Sequence, residues 1–157
     1  MKRLIFILSV GGILFSCDNN DHDSIVINEE NFLIFGHFFG ECGGERCVET
    51  FKLTDEKLFE DINDDYFGEN LEFEELGNGL FKQVNDLSNS FPNQLMSESE
   101  TILGCPDCAD GGGIFIQYSV NGSERSWRID QRKVNIPSYL HNFIDEINTK
   151  ITLINNQ

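Results

Sequence analysis

Basic residues are scarce in this chain: 11 Lys and Arg stand against 27 Asp and Glu, for a formal net charge of −16 over 157 residues. That balance disfavours nucleic acid and anionic lipid headgroups as partners, because both are held by cationic surfaces. It favours a cationic protein or divalent cations. Proline (3), methionine (2), tryptophan (1) and histidine (3) are also few. No His-Glu-x-x-His pair, no Gly-x-Ser-x-Gly elbow and no phosphate-binding glycine loop occurs. No apolar run reaches the roughly twenty residues of a membrane-spanning helix. With these constellations missing, neither an enzyme nor a cofactor is expected.

The first seventeen residues are the most informative present. Met1-Lys2-Arg3 is a short basic start, and Leu4 to Phe15 is an apolar run broken by Ser9, Gly11 and Gly12. A basic start, a short apolar stretch and a small residue before the cut form a secretory signal. Leu14-Phe15-Ser16-Cys17 resembles the lipobox of bacterial lipoproteins, whose Cys receives the lipid. The expectation is a signal peptide over 1–16, lipid attachment at Cys17, an acidic tether over 17–24 and one domain over 25–157. Several acyl chains on one Cys hold far more firmly than one, since each further chain adds apolar burial. Asp18-Asn19-Asn20-Asp21-His22-Asp23 is acidic and without periodicity, as a tether should be. It resembles the surface-export tethers of Bacteroidetes lipoproteins. The implied address is the outer membrane, with the domain exposed at the cell surface.

Period and punctuation then give the domain. Phe32 to Phe39 is apolar on both faces and reads as a buried central strand. Val48 to Leu53 alternates, and Thr54-Asp55-Glu56-Lys57 turns the chain into Leu58-Phe59. Residues 61–78 read as an acidic loop. Leu80, Val84, Leu87 and Phe91 fall at helical spacing, with Pro92 as the stop. Thr101 to Leu103 suggests a short strand. Ile114, Ile116, Tyr118 and Val120 alternate, Asn121-Gly122 is a hairpin turn, and Trp127 and Ile129 lie on the returning strand. Leu140, Phe143, Ile144, Ile147, Ile151 and Ile154 mark a final helix with Pro137 in its first turn. The order strand-strand-helix, strand-strand-helix predicts an α+β fold: an antiparallel sheet built from hairpins with two helices on one face.

Four cysteines remain in the domain: Cys42, Cys47, Cys105 and Cys108. In an oxidising compartment an even count reads first as disulfides, and four cysteines allow about three connectivities. Crossed pairing would close a loop of about sixty residues, stabilising by about 4 kcal/mol in the chain-entropy model. Local pairing would pinch two loops, and the glycines beside each pair favour it. The spacing also permits four thiolates around one zinc. Cys105-Pro106-Asp107-Cys108 resembles the Cys-Pro-x-Cys of thioredoxin-like enzymes, which place the first Cys at a helix start. Here Gly111-Gly112-Gly113 and a strand follow, and Asp107 and Asp110 would raise a thiol pKa.

Other groups point less sharply. Asp61, Asn63, Asp65 and Glu72 match ligand positions of a calcium loop, but Tyr66 stands where that loop needs Gly, and Gly68 comes two places late. His37 sits within an aromatic strand and reads as a hydrogen-bonded structural residue; His141 reads as solvent-facing. From Phe35 on, Gly36-His37-Phe38, Cys47-Val48-Glu49-Thr50-Phe51-Lys52-Leu53, Gly104-Cys105-Pro106-Asp107-Cys108-Ala109-Asp110 and Trp127-Arg128-Ile129-Asp130 carry a further resemblance. The chain looks like the small cysteine-paired lipoproteins of the Bacteroidetes group. That resemblance implies an address and brings no activity or site residues. The expected function is a lipid-anchored envelope lipoprotein with a non-enzymatic binding or structural domain. The alternative is a thiol-disulfide or zinc-binding protein acting through Cys105 and Cys108.

Overall fold

Period-two alternation is realised as strands wherever it was strong. The computed structural model describes residues 31–156. The strands are β1 (Phe32–Phe38), β2 (Val48–Leu53), β3 (Leu58–Asp61), β4 (Phe73–Glu75), β5 (Ile102–Leu103), β6 (Gly113–Val120) and β7 (Ser123–Asp130). The helices are α1 (Asn78–Val84) and α2 (His141–Asn155), joined by short 3-10 turns. The expected signal peptide, Cys17, the tether and the start of the domain at Ile25 lie outside the described residues.

The strands form one sheet in the order β4-β3-β2-β1-β6-β7-β5. Every neighbouring pair is antiparallel except β5, which runs parallel to β7. The α+β class is therefore as the sequence indicates. β1 is central and pairs with β2 and β6 along its length, which explains its apolar residues on both faces. Leu33 and Phe35 point to one face, and Ile34 and Phe38 to the other. On the first face Phe35 sits between Phe51 and Ile116 in register, with Trp127 one strand further on. Both helices cover this face: α1 brings Val84, and α2 brings Phe143, Ile144, Ile147, Ile151 and Ile154 from one stripe. The second face carries a smaller cluster of Ile34, Phe38 and Phe115, with Tyr66, Leu71 and Phe73 packed against it.

Three differences from the sequence reading have local causes. The helix expected to run to Phe91 ends at Val84 and is followed by a 3-10 turn over Leu87–Ser90. There the Ser88 and Ser90 hydroxyls donate to the Asn85 and Leu87 carbonyls, competing with helical bonds. Leu87 and Phe91 still reach the core, so the spacing marked burial correctly and helix length wrongly. Phe73–Glu75, read as part of an acidic loop, is an edge strand. The 3-10 turn Ser138–Leu140 stands between Pro137 and α2, so the proline precedes a turn rather than the helix itself. The Asn121-Gly122 turn forms as read, with both residues at positive φ (51° and 75°).

Candidate functional site

The sheet end where β1 and β7 finish and β2 and β6 begin gathers most of the polar chemistry. The β1–β2 connection holds Cys42 and Cys47, whose Cα atoms are 5.6 Å apart and whose sulfurs are bonded. The segment before β6 holds Cys105 and Cys108, bonded likewise with Cα atoms 5.5 Å apart. Each pair closes on itself, the local connectivity that the flanking glycines favour. Among the described residues no group of three or more His, Cys, Asp or Glu is placed to hold a metal ion.

Two aspartates tie this end together. Asp107, inside the second cystine loop, accepts from the Gly40 amide at 2.8 Å and the Tyr66 hydroxyl at 2.7 Å through Oδ2, and from the Gly112 amide at 3.0 Å through Oδ1. It thus joins the first cystine loop, the β3–β4 loop and its own loop. A Cβ on residue 40 would lie 2.6 Å from Asp107 Oδ2, so this approach requires glycine there. The Tyr66 hydroxyl is the largest influence holding the Asp107 carboxyl below the ordinary aspartate range; burial opposes it, and the Gly40 and Gly112 amides and the Arg128 charge assist. Asp130, 2% exposed, accepts from the Cys105 amide (3.0 Å), the Arg132 amide (2.8 Å) and the Asn135 side chain (2.6 Å). Burial pushes its carboxyl upward, yet these three bonds and the Arg132 charge leave it below its ordinary value.

On the second sheet face the Arg128 guanidinium lies 3.6 Å from the Phe38 ring centre, with the Tyr66 and Phe67 rings at 4.9 and 5.6 Å. Its NH1 donates to the Tyr66 carbonyl at 2.6 Å. Stacking on rings and one carbonyl offset the desolvation of this cation. The β3–β4 loop is thereby pinned across the face.

Beside the first cystine an open pocket of about 340 Å³ is lined by Arg46, Glu49, Glu60, Asp61, Ile62, Asp64 and Asn155. Glu49, 7% exposed, accepts from Asn155 Nδ2 at 2.7 Å and lies 3.1 Å from His37 Nε2. His37 Nε2 also lies 3.0 Å from the Arg46 carbonyl. His37 is thus the hydrogen-bonded structural residue its strand position suggested. The Arg46 guanidinium donates to the Asn155 carbonyl at the end of α2, where the helix dipole favours a cation. Four carboxylate residues and one guanidinium give this pocket an acidic lining.

The calcium-like spacing resolves differently. Asp61 accepts from the amides of Asn63, Asp65 and Glu72, and Asp65 from those of Phe67, Gly68 and Asn70. Both carboxylates fold the loop around themselves, as Asx turns do. His141, read as solvent-facing, lies 2.9 Å from the Lys133 carbonyl through Nε2. Cys17 lies outside the described residues. The bridging roles of Asp107 and Asp130 had no signal in the sequence, because the partners they reach across the fold, Gly40 and Tyr66 for Asp107 and Cys105 for Asp130, are 25 to 67 residues away. Neither a protein-family model nor a curated protein matches the chain.

Proposed function

We propose that this chain is a lipid-anchored lipoprotein of the bacterial cell envelope, of the Bacteroidetes type, whose domain binds a cationic protein without catalysing a reaction. The lipobox-like Leu14-Phe15-Ser16-Cys17 and the acidic tether support the address: outer membrane, with the domain exposed at the surface. The observation that carries the binding reading is the pocket of Glu49, Glu60, Asp61 and Asp64 at the cystine-braced end of a chain of net charge −16. A lysine or arginine side chain from a partner suits such a pocket in charge, and the rest of the acidic surface would steer a basic protein toward it. Two cystines and the Asp107 bridge hold the loops around the pocket before a partner arrives, which lowers the ordering cost of association.

Binding is tested with a basic wall-degrading enzyme, lysozyme, by titration calorimetry at low salt and again at high salt. The expected result is binding at low salt that weakens as salt rises, and that weakens further in Asp64→Asn. No heat at low salt overturns the cationic-partner reading and leaves a structural role. The address is tested separately with Cys17→Ser, which should move the protein from the membrane to the soluble fraction.

A further inference from the structure

The two cystines differ in what holds them. The first lies within the β1–β2 hairpin: Cys42 is exposed, but Cys47 is 8% exposed, its amide donates to the Gly44 carbonyl, and its carbonyl accepts from the Phe39 amide. The left-handed residue in its loop is a glycine, Gly44 at φ 136°. In the second, both Cys105 and Cys108 are exposed, and no residue from 104 to 111 is buried. Asp107 (φ 60°), Ala109 (φ 52°) and Asp110 (φ 56°) are left-handed without being glycine, three of the five such residues among those described. L-residues resist that conformation, and Ala109 has no polar side chain to compensate. The cystine, the Asp107 bonds and the Asp130 bond to the Cys105 amide hold this loop in shape, with no apolar burial to help. An exposed cystine is open to attack by a thiolate, and the strained backbone it closes is released when it opens.

We propose that Cys105–Cys108 is a redox lock: reduction by a dithiol protein or a small free thiol opens it in the folded domain while Cys42–Cys47 stays closed. A thiolate of the reductant attacks one sulfur of the pair, breaking the Cys105–Cys108 bond as a mixed disulfide forms. A second thiolate of the reductant displaces the remaining cysteine sulfur. The chain gains two electrons and two protons, and the reductant leaves as its own disulfide.

Opening has a reach beyond the loop because Asp107 lies between the two cysteines. Once Ala109 and Asp110 relax toward right-handed backbone, Asp107 no longer holds its place. The Gly40 amide, the Gly112 amide and the Tyr66 hydroxyl then lose their shared acceptor. The first cystine loop and the β3–β4 loop, both of which line the anionic pocket, come untied from each other. The lock is independent of what that pocket binds.

The test uses the whole oxidised protein in a graded series of dithiothreitol buffers at neutral pH. Free thiols are alkylated and mapped by peptide mass, and amide exchange is read on the same samples. The expected result is alkylation of Cys105 and Cys108 at a reductant level at least tenfold below that needed for Cys42 and Cys47. Exchange at Gly40 and Gly112 should rise about tenfold on loss of a charge-assisted bond, with β1 and β6 unchanged. The paired variant Cys105→Ser with Cys108→Ser should show the same exchange pattern without reductant. Earlier opening of Cys42–Cys47, or opening of all four only as the sheet unfolds, overturns the proposal. So does undiminished protection of Gly40 and Gly112 in a domain whose Cys105 and Cys108 are both alkylated.

Discussion

Replacing Asp130 by Asn changes one buried oxygen to a nitrogen and leaves the shape alone. The wild-type carboxylate is 2% exposed and takes two donors on Oδ2, the Cys105 amide and the Asn135 side chain, and one on Oδ1, the Arg132 amide. An amide side chain has one acceptor oxygen. If that oxygen serves Cys105 and Asn135, its own NH2 faces the Arg132 N–H, donor against donor. Losing one charge-assisted bond of this kind costs about 1.5–3 kcal/mol. Asp130→Ala loses all three; Cys105, Arg132 and Asn135 are exposed and can regain water, so the cost is about 3–5 kcal/mol rather than the full sum. Urea unfolding of the oxidised protein reads both variants. The carboxyl is held below its ordinary 3.8, so its stabilisation is present above that pH and is lost as pH falls through the lower folded value. The gap between wild type and Asp130→Asn should therefore be wide at pH 7 and narrow below about pH 3.8. A gap under about 0.5 kcal/mol at pH 7, or one that does not shrink in acid, would refute the reasoning.

Other substitutions probe separate parts of the structure. Gly36→Ala should destabilise by about 1–3 kcal/mol in urea, because a methyl there meets the Glu49 carbonyl and the Thr50 backbone of β2. Trp127 is 1% exposed with its Nε1 unpartnered, so Trp127→Phe should cost under about 1.5 kcal/mol by removing an orphan donor along with some packing. Trp127→Ala should cost about 3–5 kcal/mol by leaving a cavity, and a similar loss for both variants would contradict this account. Tyr66→Phe removes the largest influence holding Asp107 below its ordinary range, so the Asp107 titration followed by NMR should move upward. Phe67→Ser should change stability by less than about 0.5 kcal/mol, because that ring is 62% exposed at the rim of the Arg128 stack.

The fold was legible where pattern and punctuation agree. Asn121-Gly122 fixes a turn that only residues tolerant of positive φ can make, and the flanking alternation sets which side chains enter the core. The stripe from Phe143 to Ile154 fixes α2 for the same reason. β4 was hidden because three residues, Phe73-Glu74-Glu75, are too few to show a period, and an edge strand keeps its acidic side chains. The end of α1 depended on serine hydroxyls bonding carbonyls one turn back, which apolar spacing does not report. The local cystines follow from short loops rich in glycine. Asp107, which joins those loops, could not be found the same way: it meets Gly40 across 67 residues and Tyr66 across 41. Acid content marked the chain as anionic, and only the fold shows that Asp65, Asp107 and Asp130 bind backbone, that Glu49, Glu60 and Asp64 line the pocket, and that Asp61 does both.

The most direct test of a lipid-anchored domain braced by two local cystines is the intact mass of the protein purified from the envelope. It is taken before and after thiol alkylation under denaturing, non-reducing conditions, followed by peptide mapping. The account predicts a chain beginning at an acylated Cys17, with no alkylated thiols and with Cys42 linked to Cys47 and Cys105 to Cys108. A chain retaining residues 1–16 without lipid would contradict the anchor, and crossed linkages or four free thiols would contradict the braced site.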